Sequence, residues 1–382
     1  MKIRFQRKAI LTVIWFSFIF LLLQVSGFIL FNFTTVRPIG SYGYPLGLYV
    51  WHPTLDYLYK PGFTGHFSGG PYQDISFRIN GHGFRDDPFG PRSPGQRRLV
   101  FIGDSVVFGS GVWEKDRFTE QLQEDPGVRD ADMEVLNLGV NSYNFGHYLE
   151  LARLRFMDLS PDRVIVGFTL NDIQEMDRVW PKKQVKAPVG NREPGIHRKW
   201  YEKPLWVARV QKSMGRTYAG RFVEYSDQIL KPLLMSKQKM KDYHTKWMRT
   251  AVRYWSEDSN RARLRGLLLE FKEEMSRQGV PFSFLIFPER NDLLRPGEYS
   301  LPRKSVTGML DELEIGYCDA YDAFAATPDM DSLYLAKDSV HFTPAGHRVI
   351  KDVLLACSEA GIIPVSTGRD QVDSPGSGVL NP

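Results

Sequence analysis

Gly103-Asp104-Ser105 follows directly on the apolar run Leu99 to Ile102, and Asp338-Ser339-Val340-His341 stands more than two hundred residues later. A serine hydroxyl is a poor nucleophile until an imidazole accepts its proton, and a carboxylate on the other ring nitrogen orients that imidazole and stabilises its charged form. Ser105, His341 and Asp338 supply those three residue types. Singly, each has an ordinary use: Ser105 as a helix cap behind a strand, His341 as a structural side chain. Asp104 and Asp172 read as loop-bonding carboxylates, and His82, His147 and His347 as structural or exposed.

The elements that must position these groups are legible in coarse terms. Arg98 to Ile102, Val135 to Leu138, Arg163 to Phe168 and Val280 to Phe287 are short, partly β-branched apolar runs, each followed by polar or glycine-rich sequence. Phe145 to Leu159 and Ala262 to Arg277 carry helical periodicity, and Thr343-Pro344 begins a final helix well, with threonine as cap and proline in the first turn. Repeated strand, loop and helix signals predict a parallel sheet covered on both faces. Such a sheet places its ligand crevice beyond the carboxyl ends of its strands. Ser105, Gly139, Asn171 and the pair Glu289-Arg290 each follow one strand, so four loops converge on one crevice. Glu289 and Arg290 are candidates for orienting a polar substrate, with a surface ion pair or loop contact as the alternative.

At these positions the chain resembles the GDSL/SGNH hydrolase family: a serine after Gly-Asp, a glycine after the second strand, an asparagine after the third, and Asp-x-x-His near the end. The resemblance covers residues 96–180 and 265–362. It implies a three-layer α/β/α, flavodoxin-like parallel-sheet domain in which Ser105 is the nucleophile, Asp338 and His341 complete the relay, and the Ser105 and Gly139 amides with the Asn171 side chain form the oxyanion hole. One departure is local: where the family has Gly-x-Asn-Asp, this chain has Thr169-Leu170-Asn171-Asp172. Upstream, Asn80-Gly81-His82-Gly83-Phe84-Arg85 is similar to a block of membrane-anchored bacterial members, and read alone it is a tight turn.

Residues 10–31 are 22 residues without a formal charge, long enough at about 1.5 Å rise per residue to cross a hydrocarbon core of roughly 30 Å. The run is longer than a signal-peptide core of about 7 to 15 residues. Lys2, Arg4, Arg7 and Lys8 precede it and the next basic residue is Arg37, which predicts a cytoplasmic tail at 1–9 and an extracytoplasmic catalytic region, in a bacterial inner membrane facing the periplasm. Residues 32–95 read as a juxtamembrane collar and 363–382 as a flexible tail.

The charge is uneven. From Pro181 to Arg265 there are 21 Lys/Arg against 7 Asp/Glu, although the whole chain is only +5. This 181–264 insertion, with Trp180, Trp200, Trp206, Trp247 and Trp255 in or beside it, suits an anionic surface or an acidic glycan; solvated helix faces and packing onto the core are the plain alternatives. Cys318 and Cys357 permit a disulfide in an oxidising compartment without requiring one.

Several classes fit poorly. Gly109-Ser110-Gly111 lacks the later glycine of a dinucleotide loop, no phosphate loop occurs, and the α/β-hydrolase elbow is missing. No cysteine or histidine spacing suits a metal, so no cofactor is expected, and no base-reading motif supports nucleic acid. The expectation is therefore a membrane-anchored serine esterase or O-acyltransferase acting on acyl groups, acetyl above all, of a glycan. A lipid or lysophospholipid esterase and a catalytically silent polymer-binding or assembly protein are the alternatives.

Overall fold

The computed structural model describes residues 2–33, 45, 47–69, 72–173, 217–219, 222, 223, 226, 248–336 and 338–359. Strand β5 (Arg97–Gly103) shows how the molecule is layered. Side chains alternate along a strand, and here Val100 and Ile102 join one apolar cluster while Leu99 and Phe101 join another. The strand is buried on both faces, which is why it reads as a continuous apolar run.

Around β5 lie β6 (Met133–Gly139), β7 (Arg163–Phe168), β8 (Phe282–Ile286) and β9 (Tyr317–Asp319), in the order β6-β5-β7-β8-β9. All neighbouring pairs in this sheet are parallel. In chain order of its own strands the sheet runs 2-1-3-4-5, the doubly wound flavodoxin-like order, whose switch point lies between its first and third strands, here β5 and β7. One face is covered by α5 (Phe145–Leu159), α6 (Asp258–Gln278) and α8 (Leu301–Glu312), which bury Leu149, Phe271 and Leu310. The other is covered by α3 (Phe118–Gln123) and α10 (Pro344–Glu359), through Phe118, Leu122, Ile350 and Leu354. The three-layer expectation holds. The short β9 has no counterpart in the sequence reading, because three residues, Tyr317–Asp319, are too few to show a period.

The collar is more than a spacer. It forms two antiparallel hairpins, β1 (Tyr49–His52) with β2 (Asp56–Tyr59), and β3 (Thr64–Gly69) with β4 (Tyr72–Arg78). Tyr57, Tyr59, Phe67 and Phe77 are buried in the same cluster as Phe108 and Tyr143. Hydrogen bonds stitch it to the loop after β6: Tyr57 donates to the Asn141 carbonyl (2.7 Å), Asn141 N–H to the Tyr59 hydroxyl (2.8 Å), and Tyr143 to the Tyr57 carbonyl (2.6 Å).

Helix α1 (Lys2–Phe33) contains Ile10–Leu30, long and apolar enough to span a membrane by length and composition, with most of its large side chains exposed. A small patch of the basic insertion rests on its far end. Ala219 N–H donates to the Gln24 side chain (2.9 Å), Asn32 Nδ2 donates to the Tyr218 hydroxyl (3.3 Å), and the Phe28 and Tyr218 rings meet edge to face. Most of the insertion, four of its five tryptophans and the 363–382 tail lie outside the described residues. The remaining one, Trp255, is buried and donates its indole N–H to the Leu170 carbonyl (2.7 Å).

Candidate active site

The turn from β5 into α2 (Ser105–Phe108) is fixed from below. Asp104 caps α2 by accepting from Val106 N–H (2.9 Å), and the helix closes on Gly109, whose φ of 75° is left-handed and natural to glycine. Asn137 on β6 donates to the Val107 carbonyl (2.7 Å) and to Thr119 Oγ1 (2.9 Å). Arg85, fully buried, donates to the carbonyls of Phe108 (3.2 Å), Gly109 (2.7 Å) and Val112 (2.8 Å). Its guanidinium also lies 5.2–5.8 Å from the ring centres of Phe108, Phe67 and Phe77. Burial, with Arg117 close by, lowers its pKa to about 9. The Asn80–Arg85 block thus has a structural purpose: Asn80 Oδ1 collects the amides of His82 and Phe84, and the turn delivers Arg85 beneath the nucleophile loop.

On the opposite side, Asp338 and His341 precede α10. Asp338 Oδ1 accepts from the amides of Val340 (2.9 Å) and His341 (3.1 Å), and Oδ2 lies 2.8 Å from His341 Nδ1. His341 Nε2 lies 2.8 Å from Ser105 Oγ. The three sequence-predicted residues therefore meet in one relay across 236 positions of sequence. Burial alone would raise the Asp338 pKa, but the charge and hydrogen bond of His341 and the two amides bring it down to about 2. Burial pushes the His341 imidazole down, and the Asp338 charge and hydrogen bond outweigh it, leaving it above the ordinary value.

The three expected oxyanion donors are engaged to different degrees. Gly139 N–H already donates to Asn137 Oδ1 (3.0 Å), and a backbone amide has one proton to give. What the glycine provides is space: a Cβ there would sit 2.3 Å from Phe108 N. Ser105 N–H opens α2, and the Asn171 side chain faces Asp104. An amide NH₂ has two protons, so one remains for a ligand.

Glu289 and Arg290 are placed differently, the first buried and the second partly exposed. Glu289 is 2% exposed, with no hydrogen-bond partner for either carboxylate oxygen among the described residues. Burial, then the charges of Asp338 and Asp104, push its pKa well up. It cannot touch substrate from there. Arg290 holds the acid–base loop: its amide donates to the Ser339 carbonyl (3.0 Å), and its guanidinium pairs with Asp331 (2.9 Å) and reaches the Asp338 carbonyl (3.4 Å).

Asp104 and Asp172 are loop-bonding, as their positions suggested, and Thr169 stands between them. His147 is buried against Asn144, His82 stacks on Phe89, and buried His347 accepts from Phe118 N–H (3.3 Å). Residue type signalled Thr169 as a departure from the family pattern, and nothing in the sequence signalled Asn137. Cys318 on β9 and Cys357 on α10 are joined as a disulfide. Among the described residues no cluster of His, Cys, Asp and Glu suits a metal ion.

No family model matches the chain, and no curated protein matches it. Among solved structures it is similar to TesA, at 10% identity over 70% of this chain and 100% of that one, TM-score 0.41. It is similar to a member of the lipolytic protein G-D-S-L family from Veillonella parvula, at 12% identity over 68% and 97%, TM-score 0.38. A third is a catalytic mutant of Axe2, an acetylxylan esterase from Geobacillus stearothermophilus, at 16% identity over 69% and 94%, TM-score 0.37. At these identities the likeness is one of fold, and the chemistry rests on this chain's own serine, histidine and aspartate.

Proposed function

We propose that this chain is a GDSL/SGNH-type serine esterase, anchored by α1 and acting outside the cytoplasm on acyl esters, with acetylated glycans as the first substrate class to try. The observation that carries the reading is the continuous Ser105–His341–Asp338 relay, 2.8 Å at each joint. Ser105 Oγ attacks the ester carbonyl carbon while His341 Nε2 takes its proton, and Asp338 balances the imidazolium. Charge gathers on the carbonyl oxygen, where Ser105 N–H and the free Asn171 proton are the donors; one such donor contributes about 3 kcal/mol. The carbon–oxygen bond to the leaving alcohol then breaks, and His341 returns the proton to that oxygen. Water, activated by the same imidazole, releases the acid and restores Ser105. A sugar hydroxyl in the place of water converts the same intermediate into O-acyl transfer.

The glycan reading rests on the basic, tryptophan-rich composition of residues 181–264, which suits an acidic polymer. A lipid-ester reading is favoured by a different observation, the contact of that insertion with α1. The experiment is to give full-length protein a labelled acetyl donor, deacetylated and acetylated oligosaccharides and lysophospholipid, following products by mass spectrometry. Ser105-dependent free acetate supports the esterase, labelled sugar supports the transferase, and turnover of lipid esters alone removes the glycan assignment. Full turnover by Ser105→Ala would remove the whole reading.

A further inference from the structure

The hydroxyl of Thr169 lies 3.1 Å from Asp104 Oδ2 and 3.0 Å from Asp172 Oδ1. A hydroxyl has one proton to donate, so two ionised carboxylates would leave one of these oxygen–oxygen contacts without any proton between them. All three side chains are buried, where such a repulsive contact is costly. We propose that Asp172 holds a proton at neutral pH and donates it to Thr169 Oγ1, which in turn donates to ionised Asp104, so that Thr169 is a positioning residue for the nucleophile turn.

The direction of the chain follows from the partners. Asp104 has three sources of stabilisation for its charge: Val106 N–H (2.9 Å), the Asn171 side chain and nearby His341. Asp172 has Thr169 N–H at 2.9 Å. The groups that face it are Asp104 from the β5–α2 turn and Tyr148 from α5, with Glu289 beyond β8 adding a further buried carboxyl. The Tyr148 hydroxyl lies against it without a well-formed hydrogen bond. Burial and the Asp104 charge both favour the neutral acid at Asp172. The bridge exists only because threonine occupies the place where the Gly-x-Asn-Asp pattern has no side chain. Asp104 precedes Ser105 and caps α2, so a bridge that fixes its carboxylate also fixes the nucleophile. That last step rests on the esterase reading; the proton count does not.

The test is difference infrared spectroscopy on full-length protein in detergent at neutral pH, wild type against Asp172→Asn, with Glu289→Gln to mark the other buried carboxyl. The expected spectrum loses a protonated-carboxyl stretch with Asp172→Asn, retains it in Thr169→Ser and shifts it in Thr169→Val. Loss of carboxylate bands alone in Asp172→Asn overturns the proposal. In turnover of an activated ester, Thr169→Val should lower kcat about tenfold, the loss of roughly one net hydrogen bond, with little change in KM, and Thr169→Ser should restore it. Unchanged kcat in folded Thr169→Val would overturn the positioning role. If Thr169→Val does not fold, Asp172→Asn and Thr169→Ser still decide the proton's place. The infrared signal needs no substrate, so it succeeds or fails apart from the esterase assignment.

Discussion

The two arms of the site are held by different means. The nucleophile turn is supported by many short-range polar contacts, from Asp104, Asn137 and buried Arg85, each ending on backbone atoms within 106–112. The acid–base arm rests instead largely on backbone-to-backbone bonds, with Leu335 N–H donating to the His341 carbonyl, Thr343 N–H to the Leu333 carbonyl and Arg290 N–H to the Ser339 carbonyl, and on a covalent closure through Cys318 and Cys357. A nucleophile tolerates little misplacement, since its attack geometry sets the barrier; an imidazole tethered to its own carboxylate three residues away carries part of its orientation with it.

The largest effects test whether the arms act as one unit. Ser105→Ala should lower kcat by about 10⁴ or more, His341→Ala comparably, and the double variant little further, because residues of one relay are not additive. Independent, multiplicative losses on purified protein would break the relay. Next, Cys318→Ala with Cys357→Ala opens a loop spanning 39 residues, for which chain entropy predicts a loss of about 4 kcal/mol. Denaturant unfolding should show it, and amide exchange should quicken in 338–359 but not in 104–112. Arg85→Met should do the reverse: stability falls by about 3 kcal/mol as carbonyls lose their donor, and exchange rises in 104–112. Equal loosening of both segments by either variant would erase the contrast.

The smallest effect is electrostatic. Asp338 holds the His341 pKa above the ordinary imidazole value, so the acid limb of the rate profile lies above that value, and His341 regains its proton as pH falls through it. Asp338→Asn should move the limb to lower pH, read by NMR titration of the His341 ring. A limb that stays in place would assign the shift to another group.

Much of this arrangement was legible in the sequence because it is local. The strand runs at 163–168 and 98–102, the helix at 145–159 and the Asp338-x-x-His341 spacing all depend on neighbours within a few residues. What escaped depends on the way side chains turn in the fold and on contacts between distant segments. The free amide of Gly139 was lost to Asn137, two residues away but on the same strand edge, and only the fold shows the orientation of that side chain. Glu289 reads as a surface charge after a strand and is instead sealed beneath the acid–base loop. The collar's tyrosines read as a separate region, yet their hydroxyls reach the loop after β6.

The contact between Tyr218 and α1 has one more consequence. Tyr218 and Ala219, in the segment between β7 and α6, meet the helix at Gln24, Phe28 and Asn32, near the end where its apolar run stops. Tyr218, an apolar ring with a polar tip, thereby stands at the level such side chains take where a membrane-spanning helix meets water.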